Sequence, residues 1–180
     1  MNKYDEFAED YMKIQNDFYT KFSDDSRKTF YALLDFPLKG KKVLDVGCGF
    51  GKDLSFFEKE GAIVYGIDTS EKMIELAKTK NPALKNLSVQ SFEKTDFYDH
   101  FFDIIVSRYT LHYADNLEDT FKELNRILKH NGFLVFLVAH PLLGFVAKKR
   151  KFIVKKKLSK YHYTTANSLS KNQHIHFPNT

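Results

Sequence analysis

Cysteine is almost missing from this chain. Cys48 stands alone among 180 residues, so no intrachain disulfide can form and a reducing compartment is the expected setting. Tryptophan is absent, although phenylalanine occurs 18 times. No apolar stretch approaches the length of a membrane-spanning helix, and no membrane association is expected. The opening "MNKYDEFAED" is acidic and has no apolar h-region, so no secretory leader is expected and the protein reads as cytoplasmic. The seven histidines show no metal-ligand spacing, and "HIH" near the end has no supporting cluster, so no metal is expected. No Ser-His-Asp or Cys-His set stands out, which leaves any catalytic residue unassigned. Internal repeats are also lacking, and nothing in the sequence fixes an oligomeric state.

One absence is local. From Lys148 to Thr180 there are nine Lys or Arg and no acid, whereas residues 1–147 hold 19 basic residues against 23 acidic ones. A mildly acidic body therefore carries a basic tail, "KKRKFIVKKKLSK". Such a run is either a solvated surface segment or an attraction for phosphate backbones such as RNA.

What is present fits one domain with a real core, at 43% apolar residues. In "YDEFAEDYMKIQNDFYTKF", Tyr4, Phe7, Tyr11, Ile14, Phe18 and Phe22 recur at spacings of three and four, the stripe of an amphipathic helix. A short helix fits "DSRKTFYALL". The period then changes. "KKVLDVG" is a short apolar run, as expected of a strand covered on both faces, and "KDLSFFEKEG" reads as a helix stopping at Gly61. "AIVYGID" is a second strand. Ser70 caps a helix over "EKMIELAKTK", with Met73, Ile74 and Ala77 inward. "LSVQS" and "FFDIIVS" are strands three and four.

The next helix is expected from Asp115, with Leu117, Phe121, Leu124 and Leu128 as its apolar stripe. Lys129 and His130 fall in its last turn and Asn131-Gly132 stops it. "FLVFLVAH" is then the fifth strand. Alternating strands and helices predict an α/β fold, a parallel sheet layered by helices with a ligand crevice at the carboxyl ends of its strands. After Pro141 the pattern weakens to two short candidate strands, "FIV" and "HIHF", around polar loop chemistry.

The most informative stretch is "VLDVGCGFGKD". A strand runs into Gly47, Gly49 and Gly51, and a helix follows. Glycines permit positive φ and let a ligand lie against bare main chain. A dinucleotide fingerprint would need Gly-x-Gly-x-x-Gly. Here Lys52 occupies the third glycine's place, and Asp45 has no part in that fingerprint.

"VLDVGCGFG" resembles the first motif of class I S-adenosylmethionine-dependent methyltransferases. "YGIDTSEKMIELAK" resembles their second strand with its ribose-binding acid, and "VQSFEKTDF" the loop beside adenine. "FDIIVSRYTLHYADN" is similar to the fourth-strand motif and "ELNRILKHNGFLVFLVAHP" to the helix and strand after it. The subgroup most resembled is the type 11 methyltransferases, relatives of the quinone-biosynthesis C-methylases. The resemblance covers about residues 40–141, and the N-terminal "YDEFAEDY" resembles the helix that lids the cofactor in that family.

The resemblance implies a Rossmann-like, doubly wound, three-layer α/β/α sheet and S-adenosyl-L-methionine as cofactor. It implies that Asp68 accepts from both ribose hydroxyls, with Thr69 beside it, and that Asp45 lies near the methionine amino group. Gly47, Cys48 and Gly49 would form the turn that keeps side chains out of the cofactor's space. Ser91 takes the place of the acid many relatives use near the adenine amino group, and the Phe92 amide faces the ring while its side chain packs. Ser107 and Arg108 would stand beside the methionine end, and Tyr11 would cover the cofactor. His112 and Tyr113 follow strand four, where substrates lie. Each has a plainer reading as well: Asp68 as a helix start, Asp45 as a turn residue, Cys48 as a small filler, Tyr11 as core, and His112 and Tyr113 as packing.

The expected domain is residues 1–141, with a helical lid over about 1–37. Residues 142–180 form a basic, weakly structured segment, with the family's last strands incomplete there. The function implied is methyl transfer to a small-molecule acceptor. The alternatives are an RNA-directed methyltransferase using the basic tail, or a cofactor-binding protein with little catalysis because its substrate wall is missing.

Overall fold

A computed structural model describes residues 5–6, 8–14 and 25–138. The candidate strands after Pro141, the basic tail, and Tyr4, Phe7, Phe18 and Phe22 of the N-terminal stripe lie outside the described residues. Contacts group Met1–His140 as one unit and Pro141–Thr180 as a second; the description that follows is of the first.

Helix α1 spans Asp25–Ala32 and strand β1 Lys42–Val46, followed by α2 over Leu54–Lys59 and β2 over Ile63–Asp68. Helix α3 is Glu71–Lys80, β3 is Asn86–Val89 and β4 is Phe102–Arg108. A 3-10 turn at Leu111–Tyr113 leads to α4, Leu117–Ile127, and β5, Leu128–Leu137. The five strands form one sheet in the order β3-β2-β1-β4-β5, and every pairing is parallel. Strand order reverses beside β1, between its neighbours β2 and β4. In sheets of this kind the crevice for a ligand lies there, at the carboxyl ends.

The continuous apolar run of β1 divides by alternation. Val43 packs on one face with Phe30, Leu54, Phe57, Ile74 and Ile104. Leu44 and Val46 pack on the other with Ile105, Leu111, Leu124 and Ile127. Both faces are covered, as parallel sheets require. The result is the parallel sheet layered by helices that the sequence pattern predicted, in the three-layer, Rossmann-like α/β/α arrangement that the resemblance implied.

Two local expectations are corrected. The helix after Asn116 stops at Ile127, and residues through Lys129, His130, Asn131 and Gly132 belong to β5 instead of to a last helical turn. Tertiary bonds end it: the amides of His100 and Phe101 donate to the carbonyls of Arg126 and Ile127 at 2.9 Å each. Lys129 reaches Asp103 at 2.9 Å, and Leu128 turns into the core as part of the strand. A Cβ on Gly132 would stand 2.9 Å from the Asp103 carbonyl oxygen, so this glycine serves close strand approach. Leu117, placed in the apolar stripe, is 53% exposed.

The second correction concerns the N-terminal helix. Within its described part, the buried residue is Ala8, packed with Phe50 and Met73 and backed by Met12. Ile14 of the expected stripe is 66% exposed. Ala8 and Met12 are one helical turn apart, and the small alanine allows close approach to the loop after β1.

Polar groups fix the far edge of α4. Glu123 accepts from the Thr95 amide at 2.8 Å and from Arg126 Nη2 at 2.7 Å. The Arg126 contact, aided by Thr95, holds the Glu123 carboxyl down to about 2. A depressed carboxyl stabilises the fold above its unfolded value, and that contribution is lost as pH falls towards the folded value. Thermal unfolding of wild type and Glu123→Gln should therefore differ most near neutrality, and the gap should close between about pH 4.5 and pH 2. A gap independent of pH would contradict this role for the carboxylate.

Candidate functional site

The site is built at the carboxyl ends of β1, β2 and β4. Where β1 ends, Gly47 and Gly49 take φ values of 73° and 52°, a region that costs residues with a Cβ. At Gly47 a Cβ would also lie 2.2 Å from Thr110 Oγ1, in the loop after β4. Gly49 is different. No heavy atom lies within 4 Å of a Cβ built there, so its bare backbone borders open space.

Asp68, the last residue of β2, ties that turn to the next helix. Its Oδ2 accepts from the Gly49 amide and its Oδ1 from the Ser70 amide, each at 2.9 Å. Burial raises the Asp68 pKa, against the lowering effect of the Ser70, Gly49 and Thr69 amides. A carboxylate offers about four acceptor positions, so bonding to the loop amides still leaves acceptor capacity for a ligand. Ser70 caps α3 by accepting from the Met73 amide at 3.1 Å. The Ser70 hydroxyl donates to Asp5 Oδ1 at 2.6 Å, which pins the N-terminal segment to the same end of the sheet.

Asp45 lies in β1 between Gly66 and Val106. It is 3% exposed, and its Oδ2 has no hydrogen-bond partner among the described residues. Burial pushes its pKa well above the ordinary carboxylate range; Asp53 and Asp68 add to this and Arg108 opposes it.

Next to it is a cluster that sequence reasoning missed. Asp53, at the start of α2, accepts from Arg27 Nε of α1 at 2.5 Å and from Tyr31 Oη at 2.7 Å. Arg108 Nε, at the end of β4, donates to its other oxygen at 2.9 Å. Burial works to raise the Asp53 pKa, but Arg108, Arg27 and the Tyr31 hydrogen bond outweigh it and hold the carboxyl below its ordinary value. The Tyr31 phenol is pushed up, by burial first and then by Asp53. Tyr31 in turn stacks on Phe56 with ring centroids 3.7 Å apart. A single carboxylate thus joins three elements that are distant in sequence.

An open pocket of about 60 Å³ lies beside these groups, lined by Tyr11, Arg27, Asp45, Gly47, Cys48, Gly49, Phe50, Lys52, Asp53 and Arg108. Six of the residues expected from sequence are therefore together: Tyr11, Asp45, Gly47, Cys48, Gly49 and Arg108. Asp68 joins them through Gly49. Cys48 is buried, and burial followed by the Asp45 charge raises its thiol pKa well above the ordinary value, which suits packing and not nucleophilic attack.

The other expected residues are placed apart. Ser107 is fully buried, and its hydroxyl donates to the Val46 carbonyl at 3.1 Å. Its side chain therefore braces β1 against β4. Ser91 is exposed and accepts from the Glu93 amide at 3.2 Å. The Phe92 ring packs in the core against the α4 side of the sheet. Thr69 is exposed beside Asp68. His112 and Tyr113 sit on the exposed 3-10 turn with their rings 4.2 Å apart, and neither lines the cavity. Tyr109, just after β4, takes a φ of 59°, uncommon for a residue with a side chain.

The missed residues Arg27, Tyr31 and Asp53 had one faint signal. An acid two residues after the last glycine of the turn faces the same crevice as the turn itself. Their pairing had none, since Arg27 and Asp53 are 26 residues apart.

Comparison with known proteins identifies the family. The family described as "Methyltransferase domain" matches residues 44–136. A malonyl-[acyl-carrier protein] O-methyltransferase of Legionella pneumophila is 31% identical over 63% of this chain and 42% of its own length. A ubiquinone biosynthesis O-methyltransferase of Pelagibacter ubique is 36% identical over 61% of this chain and 46% of its own. The chain thus spans about half the length of these curated relatives. Among solved structures, an S-adenosylmethionine dependent methyltransferase from Mesorhizobium loti is 29% identical, with a TM-score of 0.58 over 64% of this chain and 54% of that one. On its matched residues, its parallel sheet and its relatives, the chain belongs to the S-adenosylmethionine-dependent methyltransferase domain family.

Proposed function

We propose that this chain transfers a methyl group from S-adenosylmethionine to a small-molecule acceptor, with oxygen as the acceptor atom. The observation that carries the reading is the carboxylate pair at the glycine turn: half-buried Asp68 bonded to the Gly49 amide, and buried Asp45 with an unpartnered oxygen at the cavity wall. The donor set fits this cofactor. A cis-diol finds an acceptor in Asp68, a cationic amino group finds one in Asp45, and Gly49 leaves the space beside them open. The names of two curated relatives, both O-methyltransferases, support oxygen, whereas a phosphoethanolamine N-methyltransferase of Zea mays, 40% identical over 52% of this chain, would support nitrogen.

Bound S-adenosylmethionine supplies an electrophilic methyl group on a sulfonium that is already a good leaving group. The protein's work is then mainly positional. Asp68 holds the sugar, Asp45 the amino group, and the Asp53-bound Arg108 shapes the wall beside them. The N-terminal helix, anchored by Asp5 on Ser70, brings Tyr11 to the cavity wall. Holding donor and acceptor in line can lower the barrier by about 7–11 kcal/mol without a dedicated acid or base.

The test is incubation of the chain with methyl-labelled S-adenosylmethionine and a fractionated metabolite extract. Label is expected in a low-mass product with a new oxygen-bound methyl group. Label found only in RNA or protein, or in nothing while the cofactor binds, would overturn the small-molecule assignment.

A further inference from the structure

The charged groups around the cavity are unevenly paired. Asp45 and Asp53 line it with Arg27, Lys52 and Arg108, and Asp68 acts on Asp45 from the end of β2. Both guanidiniums donate to Asp53, and Asp68 is held by two backbone amides. Asp45 has neither kind of support at Oδ2, although it is 3% exposed. An ionised carboxylate buried in this way is costly, and the usual resolution is to keep its proton.

Resting on the cofactor reading above, we propose that Asp45 carries a proton in the free protein and releases it to solvent when the cofactor's cationic end enters the cavity. Binding is then an exchange at one site: a proton leaves the carboxyl, and the ligand's ammonium group takes its place as counter-ion. The groups facing Asp45 from each packed element are consistent with this exchange. Asp53 from α2 and Asp68 from β2 disfavour its charge, whereas Arg108 from β4 and Arg27 from α1 favour it. Cys48 from the turn is held neutral by the same surroundings, and Lys52 also borders the cavity. The direction of the Asp45 pKa shift, well above the ordinary range through burial, agrees with the geometry. Such a device selects cationic ligands, because a neutral analogue entering the cavity cannot take the proton's place.

The sign follows from linkage. A carboxyl protonated when free and ionised when bound makes affinity rise with pH below its free-state pKa, by up to about tenfold per pH unit. The experiment is calorimetric titration of S-adenosylmethionine into the full chain, in buffers of different ionisation enthalpy, between about pH 5.5 and pH 7.5, below the usual range of an α-amino group. Wild type should release close to one proton per cofactor bound at the acidic end. Asp45→Asn, nearly the same shape without a titrating group, should bind without releasing it. Asp68 is the competing source, since burial raises its pKa too, so Asp68→Asn is measured as well. Release that persists in Asp68→Asn supports Asp45 even if Asp45→Asn fails to fold. Binding with buffer-independent heat, or release lost in Asp68→Asn, overturns the inference and leaves the cofactor assignment standing. Absence of any cofactor binding overturns both.

Discussion

Replacing Asp68 by alanine is expected to weaken S-adenosylmethionine binding by on the order of 10²-fold, with the fold retained. Hydrogen bonds to a charged group contribute about 1.5–3 kcal/mol each, and about 1.4 kcal/mol is a factor of ten in affinity. Two ribose hydroxyls on one carboxylate therefore account for at least that loss. The substitution also frees the Gly49 and Ser70 amides, which Asp68 holds at 2.9 Å, so the glycine turn loses its tie to β2. Asp68→Asn keeps an acceptor oxygen but not the charge, and should lose about tenfold. Calorimetry measures both, with circular dichroism to confirm folding. Affinity unchanged in Asp68→Ala would remove the ribose role.

Asp53→Ala should have the largest effect on stability. It leaves the Arg27 and Arg108 guanidiniums, with side chains only 10% and 11% exposed, without their shared counter-ion. Breaking a buried pair from one side costs about 3–5 kcal/mol, and in a domain of this size that is a fall of about 6–20 °C in Tm. Asp53→Asn should fall between, since it keeps acceptor capacity for one donor while losing the charge. The Glu118–Lys122 pair on α4 offers the contrast. Its side chains are 78% and 66% exposed, and Glu118→Ala should leave Tm unmoved within error, because solvent screens such pairs. If the two alanine variants lowered Tm equally, the Asp53 cluster would not be the joint between α1, α2 and β4 that its geometry describes.

The reason Asp45 and the glycines were legible, and Arg27 and Tyr31 were not, lies in how far each contact reaches along the chain. The glycine turn is local. An acid inside an apolar run and three glycines at alternate positions conflict with both strand and helix, and that conflict marks a site. Asp68 came from the family resemblance, since an acid at a strand's end before a capped helix reads equally as a helix start. Arg27, by contrast, reads as an ordinary charge on a short helix. Its burial arises only when α1 packs beside the turn and Asp53 receives it. Arg108 lines the cavity, but its Asp53 partner was not foreseen.

The limit of α4 shows the same boundary between local and tertiary information. Asn131-Gly132 carries the chemistry of a helix stop, and a basic last turn suits the helix dipole. Sheet pairing overrode both: the amides of His100 and Phe101 take the carbonyls of Arg126 and Ile127, and the chain leaves the helix four residues before the apparent stop. In the N-terminal helix the aromatic stripe outweighed Ala8, yet Ala8 is the residue buried against Phe50 and Met73. Small size, which a hydrophobic pattern ignores, decides how closely that helix approaches the loop.

The most direct measurement is a crystal structure of the chain with S-adenosylhomocysteine. The account predicts both ribose hydroxyls within hydrogen-bond distance of Asp68, the amino group at Asp45, and the ligand lying against Gly49 with Tyr11 above it. A ligand seated elsewhere, or a ribose held by other side chains while Asp68 keeps only its backbone partners, would contradict it.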